Sequence, residues 1–140
     1  MLRNIFAVTG GILTGLLGMF LINLLSQLVY PVPPGLDLTN FALLKIIMAF
    51  VPDGVFLFLA GGWLLAAFLA ATAAALISRV AKAYCAYITG AVLLCMALVF
   101  VIALPHPFWL WFLGIAVFLV GTWLGKLIGA RPGVVANIES

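Results

Sequence analysis

Apolar residues run almost unbroken through four stretches of the chain, residues 4–28, 54–77, 84–104 and 108–128, while polar and helix-breaking residues collect between them. Each stretch reaches the ~20 residues that a helix needs to cross the hydrocarbon core of a bilayer. The pattern predicts an all-α membrane protein, a single integral domain whose four spans form an antiparallel bundle. Between the first two spans, Tyr30-Pro31-Val32-Pro33-Pro34-Gly35-Leu36-Asp37 holds three prolines that forbid a regular helix and a glycine suited to a turn. Residues 40–51 follow, too apolar for an exposed loop and too short to span. They are expected to form a short interfacial helix capped by Asp37 or Thr39 and ended by Pro52-Asp53-Gly54, with Lys45 reaching for water. A kinked extension of the second span is the competing geometry. The connections at 79–82 and 105–107 are so short that each following helix must return beside the one before it. The tail, 131–140, reads as polar and loose.

A second pattern lies inside the first. Gly62, Ala66, Ala70, Ala74 and Ser78 recur every fourth residue of the second span, with Ala67, Ala71 and Ala75 beside them. On a helix this makes a flat face of small side chains that a neighbour can approach closely. Gly11, Gly15 and Gly18 form a similar ridge in the first span, and Gly121, Gly125 and Gly129, with Gly114 seven before Gly121, form one in the fourth. Two ridges can satisfy each other, so this reading leaves a third for contact with another membrane subunit. A polar replacement such as Ala70→Gln is then expected to disrupt association before folding.

Composition sharpens the assignment. With 68% hydrophobic and 6% charged residues, the chain lies far from soluble proteins, about a quarter of whose residues are charged. The net charge of +3 comes from scattered residues, which excludes a polybasic nucleic-acid surface. Placement carries more information than the sum. Arg3, Arg79, Lys82, Lys126 and Arg131 fall at one end of an up-and-down bundle and only Lys45 at the other, so the positive-inside rule puts both termini in the cytoplasm. Tyr30, Phe108, Trp109, Trp111 and Phe112 collect at the outer interface, and Tyr84, Tyr87 and Trp123 near the inner one. Arg3 ahead of an apolar run resembles a signal peptide, but the run exceeds the 7 to 15 residues of such a region and no small-x-small cleavage site follows, so a retained span is expected.

Candidate chemistry is sparse. No ionisable residue lies at the middle of any predicted span, although such residues are the usual mark of proton relays and ion-coupled transport. Small multidrug exporters share this size and helix count but use a carboxylate in the first span, and here that span has none. Asp37, Asp53 and His106 are the weak outer-face polar candidates for a metal or acid/base site. Against them, Asp37 suits a cap, Asp53 a Pro-Asp-Gly turn, and His106 sits between two prolines. No metal-ligand spacing, Gly-x-Ser-x-Gly, phosphate loop or paired carboxylates are found. No catalytic residue and no metal are therefore expected. No cofactor is expected either, since the one histidine lies in an outer turn, which disfavours haem across two helices; lipid, quinone or pigment would each fit the aromatic outer end of the fourth span, and bound lipid is the expectation carried forward. Cys85 and Cys95 stand about 15 Å apart along one helix, cannot pair, and read as small apolar residues of a helix interior. Asn23 and Gln27, one turn apart, are expected to bond to a neighbouring helix or to headgroup water.

The outer-loop motif through Asp37, the Gly/Ala-rich second span ending in Ser78-Arg79, and His106-Pro107-x-Trp109 before the last span resemble a family of small uncharacterised bacterial four-helix membrane proteins. The resemblance covers the chain to about Gly129. It implies a bacterial cytoplasmic membrane and the same four-span layout, and carries no catalytic residues. This chain departs from the family's pattern in having Ala73-Ala74-Ala75 and one Arg79 where relatives have a glycine pair and several arginines. The expected function is a non-enzymatic multi-pass accessory or scaffold subunit, with membrane lipids and other subunits or further copies as partners and no nucleic acid. The alternative is a small homo-oligomeric channel or carrier for a neutral or apolar solute, lined by Asn23, Gln27, Thr89 and the glycine faces.

Overall fold

In the computed structural model, which describes residues 1–31, 34–37, 39–103 and 106–130, four long helices surround a core made mostly of alanine and glycine. They are α1 (Leu2–Val29), α3 (Asp53–Ile77), α4 (Lys82–Ala103) and α5 (Phe108–Gly129), with the short α2 (Phe41–Met48) between the first two. All four long helices are long and apolar enough to cross a membrane. The chain is thus a multi-pass membrane protein of the four-span bundle class. Most of its large apolar side chains face outward, as Leu13, Leu17, Phe20, Leu57, Val99, Ile102 and Leu119 illustrate, each more than half exposed, while Phe56, Leu93, Leu110 and Phe118 are buried. In a bilayer this inversion is expected, because lipid tails solvate such side chains as well as a protein core does.

Small residues take the interior because they let backbones close in. α3 packs against α1, α4 and α5, and α4 also touches α1 and α5, so α1 and α5 lie on opposite sides of a central α3–α4 pair. The alanines of α3 divide between these neighbours. Ala66, Ala70 and Ala74 meet α1: a Cβ placed on Gly11 would lie 2.7 Å from the Ala70 carbonyl oxygen, and one on Gly15 would lie 2.9 Å from the Ala70 Cβ. Ala67, Ala71 and Ala75 meet α5, where a Cβ on Gly121 would lie 2.7 Å from the Leu64 oxygen and one on Gly129 would lie 2.7 Å from the Ala75 Cβ. Successive helical residues point about 100° apart, so the two alanine rows serve two partners. Here the structure corrects the sequence reading. All three ridges are consumed within the bundle, and none is left over for another subunit.

Larger side chains enter where a glycine makes room. The Trp63 ring lies over Gly114, whose added Cβ would sit 2.6 Å from it, and packs on Phe118 with centroids 5.9 Å apart. Tyr30 covers Gly54 in the same way at the start of α3.

α2 also differs from expectation. It ends at Met48, short of Val51, and its cap is Asn40, whose side-chain oxygen accepts from the backbone N–H groups of Ala42 and Leu43. Asp37 instead accepts from the N–H and hydroxyl of Thr39, closing a local turn beside Gly35, which has φ +93°. Both candidate caps are thus engaged with each other, in the turn just before the residue that caps the helix. Ala49 to Pro52 separates α2 from α3, so the second span is not continued by it. The predicted 105–107 turn lies partly, and Arg131 with the tail wholly, outside the described residues.

Candidate functional site

At the end where α3 finishes, polar side chains tie helix ends together. Arg3 Nε donates to the Ile77 carbonyl oxygen at 2.8 Å, satisfying one of the orphan acceptors of the α3 C-terminus and setting a cation against the negative end of its dipole. Ser78, fully buried, donates its hydroxyl to Asn4 Oδ1 at 3.1 Å. Lys126 Nζ stands 5.5 Å from the centroid of the Tyr87 ring, within cation–π range. Two residues expected only to orient or space the helices, Arg3 and Ser78, therefore also close α3. A basic residue near the N-terminus and a serine at a helix end were visible signals, but their pairing needs the α1–α3 register.

Hydroxyls inside the bundle are satisfied locally. Thr89 donates to the Cys85 oxygen at 2.8 Å, and Thr72 to the Phe68 oxygen at 2.7 Å with a longer 3.4 Å contact to the Gly125 oxygen of α5. Thr89 packs beside Gly11 on α1, twelve residues and so about 18 Å along the helix from Asn23. The expected polar lining of Asn23, Gln27 and Thr89 is not brought together within one chain. Asn23 and Gln27 are both exposed on α1, and neither bonds to a neighbouring helix among the described residues. The cysteines divide as well: Cys85 is buried in the bundle, as read, whereas Cys95 is exposed on the lipid-facing side of α4.

The outer-face candidates are each occupied separately. Asp37 is engaged by Thr39, whose hydroxyl and then backbone N–H hold its carboxyl below the ordinary value of 3.8. Asp53 begins α3, where the helix dipole favours its charge. The His106 ring packs between Phe100 and Phe56, with centroids 5.4 and 5.8 Å away. Among the described residues, no three His, Cys, Asp or Glu side chains lie close enough together to hold a metal ion.

Besides a shallow hollow of about 400 Å³ between α1 and α3, lined by Ile22, Tyr30, Leu57 and Phe58, the surface has two further apolar clefts. One, of about 320 Å³, opens sideways between the C-terminal halves of α1 and α4. Its walls are Met19 and Asn23 on α1 and Met96 and Phe100 on α4, and Trp63 of α3 forms its floor. It exists because the small residues that join α1 to α4, at Gly11–Thr89 and Gly15–Leu93, stop before Met19. The other cleft, about 370 Å³, lies between α2 and the bundle, lined by Leu44, Ile47, Met48, Val51 and Val55. Nothing on the sequence pattern marks either cleft, since each depends on which helices diverge. No family model, curated protein or solved structure matches this chain.

Proposed function

We propose that the protein is a non-enzymatic accessory subunit of a larger membrane assembly, and that α2 is the contact it offers. The observation that carries this reading is the two-faced character of α2. Met48, with Val51 just beyond the helix, packs against the bundle core, and Leu44 and Ile47 line the cleft beneath, yet Phe41, Ile46 and Phe50 are 54%, 62% and 83% exposed. An eight-residue helix is not stable alone in water, so its order comes from the bundle, and its outer face adds apolar surface where headgroups begin. The charge distribution and the family resemblance support a bacterial cytoplasmic membrane with α2 outside and both termini inside.

Purification from the native membrane in mild detergent, followed by native mass measurement, tests the reading. A defined complex is expected, and it should dissociate in the Phe41→Ser/Ile46→Ser/Phe50→Ser variant while the four spans keep their helical signal. A wild-type protein that remains a monomer and co-purifies with nothing would refute it. The α1–α4 cleft favours a second reading, a carrier for a neutral apolar solute. For that reading, vesicle flux of such a solute should fall when Ala97→Phe fills the cleft.

A further inference from the structure

Along α1, Leu13, Leu16, Phe20, Asn23 and Gln27 recur at alternating steps of three and four residues, and all five are exposed. This is the spacing of a helix-pairing seam, in which every 3.5 residues a side chain faces a partner helix. Gly18 and Phe20 point about 200° apart on the helix, so the seam lies opposite the glycine ridge that α3 occupies. Leu16 and Asn23 also line one edge of the cleft between α1 and α4, but no helix of the bundle closes over the seam.

Asn23 says what covers it. At one turn for every 3.6 residues, it stands about 11 Å from the midpoint of α1, inside a hydrocarbon core about 15 Å deep on each side. Its amide has no hydrogen-bond partner among the described residues. An amide in hydrocarbon is stabilised, modestly, by any partner it can reach. A lipid ester lies farther out, and helical side chains slant toward the N-terminus, which on α1 points away from the outer headgroups. An ester also only accepts, whereas the amide offers both a donor and an acceptor. Another asparagine amide at the same depth matches both groups.

We propose that α1 pairs with α1 of a second copy of this chain, in a parallel two-fold dimer whose Asn23 amides hydrogen-bond to each other across the seam. Two copies inserted with the same orientation place Asn23 at identical depth, and an isologous contact brings a residue near the axis against itself. Asn23 then resembles the single polar seam residue that fixes register and partner number in soluble coiled coils. The α2 surface remains free for a different contact, so the dimer does not depend on the accessory reading.

The test uses the full chain with Cys85→Ala and Cys95→Ala in phosphatidylcholine vesicles. Single replacements Leu16→Cys, Phe20→Cys, Asn23→Cys and Gln27→Cys are expected to form intermolecular disulfides on mild oxidation, whereas Leu21→Cys and Leu28→Cys, which point off the seam, are not. By energy transfer between labelled copies, Asn23→Leu should raise the dissociation constant about threefold to thirtyfold, and Asn23→Gln should restore part of it. Asn23 is exposed in the single chain, so these variants keep the bundle, which the helical signal checks. Cross-linking that peaks at Leu21 or Leu28, or is absent from the seam, overturns the proposal. So does an Asn23→Leu protein that pairs as tightly as the parent, or a seam that only lipid covers.

Discussion

At the scale of single residues, the fold depends on glycines that leave no room for a side chain. A Cβ on Gly125 would be driven into the Phe68 carbonyl oxygen and would sit 2.8 Å from the Ala71 Cβ, with backbone on one side that cannot step away. Gly61, on α3, faces out instead, with nothing within 4 Å of an added Cβ. Gly125→Ala is therefore expected to destabilise the bundle by about 1–3 kcal/mol, while Gly61→Ala is neutral or slightly stabilising through its better helix propensity. Reversible unfolding in mixed micelles measures the difference. The Asp37 turn allows a second residue-level expectation. Because Thr39 lowers the folded-state value of the Asp37 carboxyl below 3.8, the turn contributes stability above that ordinary value and loses it as pH falls through the lowered one. The Thr39 amide resonance should move in that acid range, and Thr39→Val should return the Asp37 titration toward 3.8. The glycines were legible in the sequence as a spacing. Which atoms they meet was not, because spacing fixes a face but not the neighbour that faces it.

At the scale of elements, the number, order and approximate ends of the spans followed from the apolar runs, since nothing but helix satisfies the backbone across hydrocarbon in a chain of this pattern. The cap of α2 did not. Asp37, Thr39 and Asn40 are all good capping residues within four positions, and only the turn that Asp37 and Thr39 form together leaves Asn40 for the helix. The alanine rows of α3 carried a further legible signal. Ala66 and Ala67 differ by about 100° in direction, enough to serve two neighbours on adjacent sides. Ala70 is fully buried between Gly11 and Gly15 of α1. Ala70→Gln is consequently expected to break the α1–α3 contact itself: folding yield and thermal stability should fall together, by more than the 1–3 kcal/mol of simple overpacking, because an amide is buried as well. Comparing helical signal with oligomer size in the same sample checks this. Loss of association with an intact bundle would contradict the packing described above.

For the whole molecule, the decisive asymmetry is between the two ends. Arg3, Arg79, Lys82 and Lys126 surround the end where α3 finishes and α4 begins, while the other end carries Lys45 against Asp37 and Asp53. Arg3 is bound to the Ile77 carbonyl and Lys126 to the Tyr87 ring, so part of this charge is fixed in place. Basic residues in short loops resist translocation, and acidic ones contribute little to orientation. The bundle should therefore insert with its basic end in the cytoplasm. With Cys85→Ala and Cys95→Ala as background, Pro34→Cys and Val80→Cys place one thiol at each end, at positions exposed in the fold. A membrane-impermeant maleimide is expected to label Pro34→Cys in intact cells and Val80→Cys only after permeabilisation. Replacing Arg79, Lys82 and Lys126 by glutamine while adding two arginines beside Pro34 should mix or invert that pattern. A molecule that keeps its orientation after that exchange would owe it to something other than the basic residues, and the argument from charge would have to be given up.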